Sequence, residues 1–352
     1  MDAVVLANYA NEHAPFGVRL LKSGRHIMSE VLPCETMSQA VELIEAVEES
    51  GKVYAYAENY CYMRGPLEMW RRYANGDIGE IQYAEGEYIH DCSSIWPQIT
   101  YGEKDHWRNQ MYSTFYNTHS LGPIITITGL RPIQVTGYET NYHLNRDYTA
   151  NKIIVPGSGG IEMVTLENGA IVKSIHGGLK REPGSVNYQV YGTRGMMETN
   201  RWDGKKMTAY IEKGKLCHGD LNHYEPEPFV TSDMADKIAG HGGSDFYPTH
   251  FFIEKILGRP DGKKYSIDVY MAVDMGICGI LAHRSILKGN IPIKVPNFRN
   301  KDERDAYRND HACTNPKVAG DQLMPVYTGM EEVPDESFEY VRNLWLNGKY
   351  AE

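Results

Sequence analysis

Strand-like and helix-like segments alternate along the first sixty or so residues of the chain. Two stretches, 14–24 and 38–51, place apolar residues at helical spacing, and each ends at a glycine. Three short apolar runs, 2–8, 26–31 and 53–59, lie on either side of them. Strands that alternate with helices of this length pair in parallel through right-handed crossovers, so the pattern predicts a small parallel sheet.

A polar residue stands at the end of each predicted strand: Asn8, Glu30 and Glu58. Ligands bind at the carboxyl ends of the strands in open parallel sheets. The pattern therefore predicts a ligand-binding edge that carries these three side chains. A Glu-Asn pair such as the one at 58–59 also begins ordinary turns, so the alternative for Glu58 is a purely structural role.

The hydrophobic pattern changes after a predicted helix and glycine turn at 66–79. From there, long segments alternate apolar and polar residues with turns such as ENGA between them, which predicts a mostly antiparallel sheet built from hairpins. The predicted strands lie within 78–91, 131–143, 160–178, 187–199 and 206–216. Two apolar helical segments, 246–258 and 268–289, are expected to cover one face of this sheet. The last fifty or so residues are polar and turn-rich.

The glycine fingerprint of dinucleotide-binding sheets is missing from the start of the chain. Such sheets begin with a strand, a GxGxxG loop and a helix, whereas the glycine-rich pieces here, VPGSGGIEM and HGGSD, lie far downstream. Residues 1–78 are therefore predicted to be the C-terminal half of a dinucleotide-binding domain, and residues 79–352 a substrate-binding open-sheet domain with a C-terminal extension. The predicted fold class is α/β and α+β: a partial doubly wound, Rossmann-like parallel sheet followed by an open-faced, mostly antiparallel β-sheet domain with covering helices.

Composition and charge narrow the classes of partner. The 352 residues carry a formal net charge of -10 and are 41% hydrophobic, which suits well-filled globular domains and argues against binding nucleic acid through its phosphates. The pattern predicts neither a membrane-spanning run nor a signal peptide, so a cytoplasmic protein is expected. The six cysteines show no CxxC spacing, so we expect buried free thiols and neither a metal site nor a disulfide framework.

Two short motifs carry candidate chemistry. In STFYNTHS, Tyr116 and His119 are three residues apart, so one helical turn would place both side chains on the same face. In GEYIHD, Tyr88 and His90 share one face of a strand. The plainer alternatives are an N-terminal cap ahead of the apolar run that follows the first motif, and polar decoration of a solvent-facing strand for the second.

The order of elements and several motifs resemble the Gfo/Idh/MocA oxidoreductases, in which an NAD(P)-binding domain precedes an open-faced sheet that holds sugars. The motifs are DAVVLANYANEHA, SGRHIMSEVLPCET, AENYCY and GEIQYAEGEYIHD. EVLPCET departs from the family's Glu-Lys-Pro motif, because Val31 stands in place of the lysine. AENYCY, GEYIHD, FYNTHSLGPI and HGGSDF are similar to the branch that contains the NAD-dependent α-N-acetylgalactosaminidases, which also lacks this lysine.

The resemblance implies an enzyme, specifically a glycosidase that works by transient oxidation with bound NAD. A hydride leaves C3 of the sugar, a side-chain base removes the C2 proton, the aglycone is eliminated, water adds, and the hydride returns without net redox change. From the matching motif positions, Tyr88 is expected to be the C2 base, and His119 is expected to assist at the C3 hydroxyl. Glu58, His90 and Tyr116 are expected to position the sugar.

The resemblance also implies a set of cofactor-binding residues. Asn8 and Glu30 at the predicted sheet edge, His13 near the nicotinamide, and Arg108 beside a phosphate or sugar hydroxyl are the expected contacts of NAD. Taken alone, His13 would begin a helix and Arg108 would pair on the surface. No metal is expected, and the partners implied are a sugar or glycoside substrate and further copies of the chain, associated through the open sheet face.

Three motif positions stay open. A further tyrosine of the branch matches either Tyr188 or Tyr191. The glycines of HGGSD are expected to permit a tight helix entry, with His241 and Asp245 as additional candidates for the pocket lining.

The missing fingerprint leaves three explanations. In the first, the sequence lacks roughly the first sixty to eighty residues of an ordinary NAD-dependent enzyme, the length of the missing half of the sheet. In the second, the truncation is native, and the protein is a non-catalytic sugar-binding module or a subunit that a partner chain completes. In the third, the protein is an intact relative that oxidises a sugar to a keto-sugar and releases it, a plain dehydrogenase.

Overall fold

The computed structural model describes residues 1–140, 159–179, 181, 183–214, 218–230, 233–234, 240–326, 328 and 333–348. The predicted strand ends at 141–143 and 215–216, and the first four residues of VPGSGGIEM, lie outside these ranges. Within them, two β-sheets and the surrounding helices share a hydrophobic core whose members extend from Leu6 to Phe298. The core therefore crosses the predicted domain boundary at 78/79, which stays a prediction.

The first sixty or so residues form a three-stranded parallel sheet, as the alternating pattern predicts. Strands β1 (Ala3–Leu6), β2 (His26–Ser29) and β3 (Tyr54–Tyr56) lie side by side in that order, and each adjacent pair is parallel. The crossovers contain helices α1 (His13–Lys22) and α2 (Met37–Ser50). The second helix ends at a glycine with a left-handed φ of 61°, a conformation that glycine adopts without a steric penalty.

The larger sheet has nine strands within the described residues. They are β4 (Ile81–Ile89), β5 (Pro132–Glu139), β6 (Gly160–Leu166), β7 (Ile171–Gly177), β8 (Ser185–Gly192), β9 (Gly195–Thr199), β10 (Met207–Glu212), β11 (Gly219–Tyr224) and β12 (Ile293–Lys294). Their order is β11-β10-β9-β8-β4-β7-β6-β5-β12, and neighbours are antiparallel except β4 and β7. The mostly antiparallel prediction is confirmed. The two outermost strands were missed, because one is polar and the other has two residues.

Helices cover one face of the larger sheet, but only one of them was predicted to do so. In chain order, the helices after β3 and before β12 are α3 (Arg64–Ala74), α4 (Trp96–Thr100), α5 (Thr118–Thr128), α6 (Phe246–Ile256), α7 (Pro260–Tyr265) and α8 (Val269–Leu287). Helices α5 and α8 pack on the sheet. The prediction that α6 does so is wrong, because its Phe252 is buried against Met28 and Ala55 of the small sheet.

Helix α8 approaches the sheet so closely that the strand opposite it needs a glycine. A Cβ at Gly137 on β5 would lie 2.2 Å from the carbonyl oxygen of Ala282 on α8. The stretch 260–287 is also long and apolar enough to cross a membrane, which the sequence pattern did not reveal, but 83% of its apolar window is buried inside the protein. Burial on this scale is typical of a core helix in a water-soluble fold.

The C-terminal part of the chain is more helical than its polar, turn-rich sequence suggests. It contains α9 (Lys301–Asp305), α10 (Pro316–Ala319) and α11 (Asp335–Leu346). In α11, Phe338 and Val341 are three residues apart and both are buried. Two apolar residues at that spacing are too weak a signal to predict a helix, because so short an apolar stripe acquires its stability from tertiary packing.

Candidate active site

A glutamate and a histidine form the buried centre of the site. Glu58 follows β3 at the carboxyl edge of the parallel sheet and is fully buried. His119 lies in the first turn of α5, and its Nδ1 is 2.7 Å from Glu58 Oε1. We call these two residues the Glu–His dyad. A carboxylate at Nδ1 fixes the tautomer of the ring, leaves Nε2 as the proton acceptor, and stabilises the imidazolium that forms.

The polar residues that precede α5 attach the start of this helix to neighbouring elements. The amide of Asn117 donates to Met275 O at 2.8 Å and to Glu162 Oε2 at 3.3 Å. The hydroxyl of Thr114 donates to Gly279 O at 2.8 Å. Within the described residues no side chain caps α5, so the simple-cap alternative is wrong. These bonds fix the start of the helix against β6 and α8, and therefore the position of the dyad histidine.

A glycine allows α5 to lie directly on β4. A Cβ at Gly86 would be 1.9 Å from Ser120 O, a distance that no packed structure tolerates. The hydroxyl of Ser120 lies 2.8 Å from that of Ser174 on β7, so the helix is also bonded to the neighbouring strand. As a result His119 comes down onto the strand that carries Tyr88.

Tyr88 and His90 form a second proton-handling pair beside the dyad. The Tyr88 ring lies 4.7 Å from the His119 ring, and its hydroxyl is 2.9 Å from His90 Nδ1. The predicted shared face is therefore confirmed. Burial, together with the nearby Tyr60, raises the pKa of Tyr88 well above its usual value. The phenol is protonated in the resting site, and His90 is an acceptor for its proton.

Tyr60 is a site residue that motif matching missed. Its ring lies 5.1 Å from the Tyr88 ring and 4.5 Å from the His119 ring. Burial raises the pKa of Tyr60 to about 12. Its backbone N–H also donates to Glu58 Oε1 at 3.4 Å, so Tyr60 helps to hold the dyad carboxylate. The available signal was its place in AENYCY, two residues after Glu58.

The structure separates the two candidate tyrosines of β8. Tyr188 is buried, and its hydroxyl donates to His119 O at 2.6 Å. Tyr191 lies on the opposite face of the sheet, where its hydroxyl donates to Gln189 Oε1 at 2.8 Å and its ring lies 5.9 Å from that of Tyr83. Of the two, Tyr188 contacts the site.

The four predicted cofactor residues line one cavity. Its volume is about 320 Å³, and it lies against the carboxyl ends of β1 and β2. Asn8, His13, Glu30 and Arg108 all contribute to its wall. Tyr116 lines it as well, and the Tyr116 ring is 5.4 Å from the histidine ring of the Glu–His dyad. The cavity and the proton-handling groups are therefore neighbours. We call this space the edge cavity.

Two buried N–H donors in the wall of the edge cavity have no partner among the described residues. They are His106 Nε2 and Trp107 Nε1. His106 Nδ1 accepts the backbone N–H of Arg108 at 3.2 Å, so a neutral ring carries its proton on Nε2. Burial, then Arg108, lowers the pKa of His106 to about 4, which keeps the ring neutral. Buried donors of this kind match a ligand with acceptor oxygens.

Charge and hydrogen bonding distinguish Glu30, which follows β2, from His13, which begins α1, in the wall of the edge cavity. Burial raises the pKa of the Glu30 carboxyl, and the charge of Glu58 adds to this effect. His13 is buried, and its two ring nitrogens each lie 3.1 Å from a carbonyl oxygen, those of Leu32 and Asn8. His13 therefore lies between the chain segments that follow β1 and β2, and Glu30 contributes a titratable carboxyl to the same wall.

The HGGSD segment borders the proton-handling groups beside Tyr60. It enters α6 through a tight turn in which His241 has a φ of 50°. Asp245 accepts a hydrogen bond from the Asn59 amide at 2.9 Å, and the His241 ring lies 6.0 Å from that of Tyr60. The predicted helix entry is confirmed, and it brings His241 and Asp245 to the rim of the site.

The groups assembled here suit proton transfer. Across the described ranges, no set of three or more His, Cys, Asp or Glu side chains is arranged to hold a metal ion, and the cysteines of those ranges are free thiols. The site offers a histidine backed by a carboxylate, a tyrosine bonded to a second histidine, and an adjoining cavity with unpartnered donors. Such groups serve as general acids and bases at neighbouring carbon and oxygen atoms of one ligand.

A comparison with protein-family models matches residues 62–303 to the family model described as "Glycosyl hydrolase 109, C-terminal domain". The "Glycosyl hydrolase family 109 protein 1" of Phocaeicola vulgatus is 24% identical over 328 residues, which cover 85% of this chain and 69% of that protein. The "Alpha-N-acetylgalactosaminidase" of Tannerella forsythia is 25% identical, with 84% of this chain and 70% of that protein covered.

Solved structures share the fold at low sequence identity. An inositol dehydrogenase homologue from Azotobacter vinelandii, complexed with NADH and myo-inositol, is 18% identical with a TM-score of 0.64, covering 84% of this chain and 78% of that chain. Levoglucosan dehydrogenase in complex with NADH is 16% identical with a TM-score of 0.66, covering 84% and 80%. These likenesses confirm the predicted fold class, a Rossmann-type sheet joined to an open-faced sheet.

Proposed function

The chain belongs to the glycosyl hydrolase 109 family, and on this premise we propose that it is an NAD-dependent enzyme that acts on sugars or glycosides, and specifically a glycosidase. The relative from Tannerella forsythia makes an N-acetylgalactosaminide the first substrate to test. Cleavage proceeds by transient oxidation at C3, removal of the C2 proton, elimination of the aglycone, addition of water and reduction back to the sugar.

One observation carries the proposal: two proton-handling pairs lie side by side and next to the edge cavity. The Glu–His dyad contacts the Tyr88–His90 pair, since the ring centres of His119 and Tyr88 lie 4.7 Å apart. Cleavage by elimination needs two separate proton transfers, one at a hydroxyl and one at a neighbouring carbon. Two adjacent pairs supply them, whereas direct hydrolysis would use two carboxyl groups on either side of the glycosidic bond.

The edge cavity fits the nicotinamide end of NAD. Its wall combines the unpartnered donors of His106 and Trp107 with the Arg108 guanidinium, and a carboxamide, ribose or phosphate presents acceptors to such groups. Asn8 and Glu30 would contribute from the strand ends. When bound, NAD accepts a hydride from the sugar and returns it, so the overall reaction is redox-neutral.

His119 acts at the C3 hydroxyl. Its Nδ1 is held by Glu58 Oε1 at 2.7 Å, so Nε2 takes the hydroxyl proton and the dyad carboxylate stabilises the imidazolium. Glu58 is fully buried, and we therefore assign it to orienting His119 and not to direct contact with the sugar. Tyr188, whose hydroxyl donates to His119 O, fixes the backbone of the same residue.

Tyr88 acts at C2. Because burial raises the pKa of Tyr88, its hydroxyl keeps its proton until the proton can pass to His90, 2.9 Å away. Tyr88 then accepts the C2 proton as it gives up its own, and the exposed His90 exchanges with solvent. Tyr116, between the dyad and the edge cavity, is placed to hold the sugar ring against both.

We extend the proposal to assembly and compartment: copies of the chain associate through the open face of the larger sheet in the cytoplasm. That face presents half-buried aromatic and charged side chains, including Tyr83, Tyr191 and the Lys173–Glu85 pair. Light scattering during size-exclusion chromatography tests the assembly. A monomer at all concentrations would contradict it.

The experiment that tests the function combines nucleotide content with cleavage. Nucleotide released by denaturing the purified chain is identified by absorbance and mass spectrometry, and hydrolysis of an aryl α-N-acetylgalactosaminide is followed without added NAD. Wild type is expected to release near-stoichiometric NAD and to cleave the glycoside. Tyr88→Phe is expected to retain the nucleotide and lose cleavage by about 10²–10⁴-fold, the usual contribution of a general base.

Tyr83→Phe is the matched control, because Tyr83 lies on the same strand with its hydroxyl on the other face, donating to Glu85 at 2.9 Å. It should cleave like wild type. A wild-type chain that releases no nucleotide and shows no cleavage would contradict the proposal. That result would favour the alternative of a non-catalytic sugar-binding module. Net formation of a keto-sugar and NADH on adding NAD would identify a plain dehydrogenase.

A further inference from the structure

The part of the chain that follows residue 303, where the match to the family model ends, is bonded to helix α2, the crossover helix between β2 and β3. Two arginine–carboxylate forks attach it to α2: Arg304 to Glu48 at 2.6 and 2.9 Å, and Arg308 to Glu45 at 2.8 and 2.7 Å. Main-chain bonding follows, with the N–H of Ser38 donating to Asp310 O at 3.0 Å. This segment is therefore fixed to the crossover helix between β2 and β3, two strands of the parallel sheet whose edge carries the cavity.

Helix α11 packs against α4 through a small hydrophobic cluster of its own. Trp96 of α4 is 3% exposed, and the cluster is completed by Phe338 at 8% and Val341 at 0%. One turn further on, the Trp345 ring lies 5.1 Å from the ring of Tyr101. We call these contacts the helix clamp.

The clamp leaves no spare room at the end of α4. Gly102 has a φ of 65°, and a Cβ there would lie 2.4 Å from the backbone nitrogen of Arg342 on α11. The backbones of the two segments therefore touch. The helix clamp is the first anchor of the segment 96–110. A second anchor lies at the other end of this segment, where the hydroxyl of Thr314 donates to Gln110 O.

The segment held in this way is one wall of the edge cavity. Residues between the two anchors supply six of the lining side chains: Gln98, Ile99, Tyr101, His106, Trp107 and Arg108. Internal bonds make the segment a unit, since the Trp96 indole N–H donates to Asn109 Oδ1 at 3.1 Å and the Asn109 amide donates to Glu103 O at 2.8 Å. Movement of Trp96 is thus transmitted to the residues that carry the unpartnered donors.

We propose that α11 is a positioning element of the cofactor site: by clamping α4, Phe338, Val341 and Trp345 hold the 96–110 wall in its binding geometry and so set how tightly the dinucleotide is retained. The inference rests on the proposed function, because it takes the edge cavity as the NAD site. A wall held before binding loses less conformational entropy when the ligand arrives, so the clamp raises affinity without touching the ligand.

The test uses the full chain freed of nucleotide and measures two quantities. The first is the dissociation constant of NAD⁺ by calorimetry, and the second is backbone hydrogen exchange of residues 96–110 relative to those of α8 in the same sample. Phe338→Ala is expected to weaken NAD⁺ binding about tenfold or more and to raise exchange in 96–110 while α8 stays protected. Trp345→Ala is expected to act in the same direction with a smaller effect.

Matched variants separate clamping from general damage. Tyr340→Ala alters an exposed aromatic residue on the same helix and should bind like wild type. Phe338→Leu should restore most of the affinity, because it refills the volume beside Trp96. In the glycosidase assay, Phe338→Ala should raise the NAD⁺ concentration needed for half-maximal activity with little change in the rate at saturation, since the clamp acts on α4 and Tyr101 and not on the dyad.

Two outcomes overturn the inference. One is Phe338→Ala binding NAD⁺ within twofold of wild type, and the other is weakened binding that comes with equal loss of exchange protection in α8, which would mean global destabilisation. A wild-type chain that binds no NAD⁺ would instead refute the proposed cofactor, and the inference with it. The two failures are therefore distinguishable in one experiment.

Discussion

Glu58→Gln tests whether the dyad carboxylate is there for catalysis or for stability. In the structure Glu58 Oε1 lies 2.7 Å from His119 Nδ1, and the side chain is fully buried. The substitution keeps the shape and removes the charge. We expect hydrolysis to fall steeply while the thermal midpoint of unfolding stays level or rises.

The magnitude follows from what the bond does. A hydrogen bond to a charged group contributes about 1.5–3 kcal/mol, and 1.36 kcal/mol corresponds to tenfold in rate, so loss of the charge alone lowers kcat by about 10–150-fold. If the amide also turns its NH₂ toward Nδ1, the ring is held in the wrong tautomer, and the loss approaches the roughly 10⁴-fold seen for such a change in triad enzymes.

The thermal midpoint of unfolding, in contrast to kcat, is expected to stay level or rise in Glu58→Gln. Glu58 Oε2 is buried and has no partner among the described residues, and a buried carboxylate without full hydrogen bonding is costly. Gln removes that charge. The assays are initial rates on an aryl N-acetylgalactosaminide and thermal unfolding by circular dichroism, with Glu42→Gln on the exposed face of α2 as the control. Activity within threefold of wild type would refute the dyad, and a large drop in the thermal midpoint would make Glu58 structural.

Three further outcomes are expected. Burial raises the pKa of Glu162 to about 8, so its folded form holds a proton that the unfolded form releases; stability should fall by up to about 4 kcal/mol from pH 4.5 to 8, and urea denaturation should show this loss abolished in Glu162→Gln. Gly86→Ala should lower both the thermal midpoint and activity, because its Cβ meets Ser120 O at 1.9 Å, whereas Gly204→Ala, with open space around it, should do neither. Arg108→Met should weaken NAD⁺ binding about tenfold by calorimetry, and unchanged affinity would remove Arg108 from the cofactor site.

The periodicity of apolar residues predicted the parallel sheet, and the polar residues at the predicted strand ends indicated its ligand-binding edge. Alternation of helices and strands gave the parallel sheet, and its carboxyl edge correctly held Asn8, Glu30 and Glu58. The motif positions predicted that Tyr88 and His90 share a face, and in the structure the two side chains lie within hydrogen-bond distance. The roles proposed for these side chains stay predictions until they are measured.

Contacts between residues that are far apart in the chain could not be predicted from the sequence pattern. Nothing near Glu58 in the chain says that its carboxylate faces His119, 61 residues away, because that contact depends on α5 settling onto Gly86. Helix α6 was assigned to the wrong sheet because its apolar residues identify a buried face but not the neighbour. The clamp formed by Phe338 was missed for the same reason.

The proposed mechanism requires removal of the C2 proton before the glycosidic bond breaks, and deuterium incorporation at C2 reports that removal. The glycoside is cleaved in D₂O by the NAD-loaded chain, and the released sugar is analysed by mass spectrometry and proton NMR. One deuterium at C2 is expected with wild-type enzyme, and none is expected with Tyr88→Phe. Released sugar that carries only hydrogen at C2, at an undiminished rate of cleavage, would rule out elimination through C2.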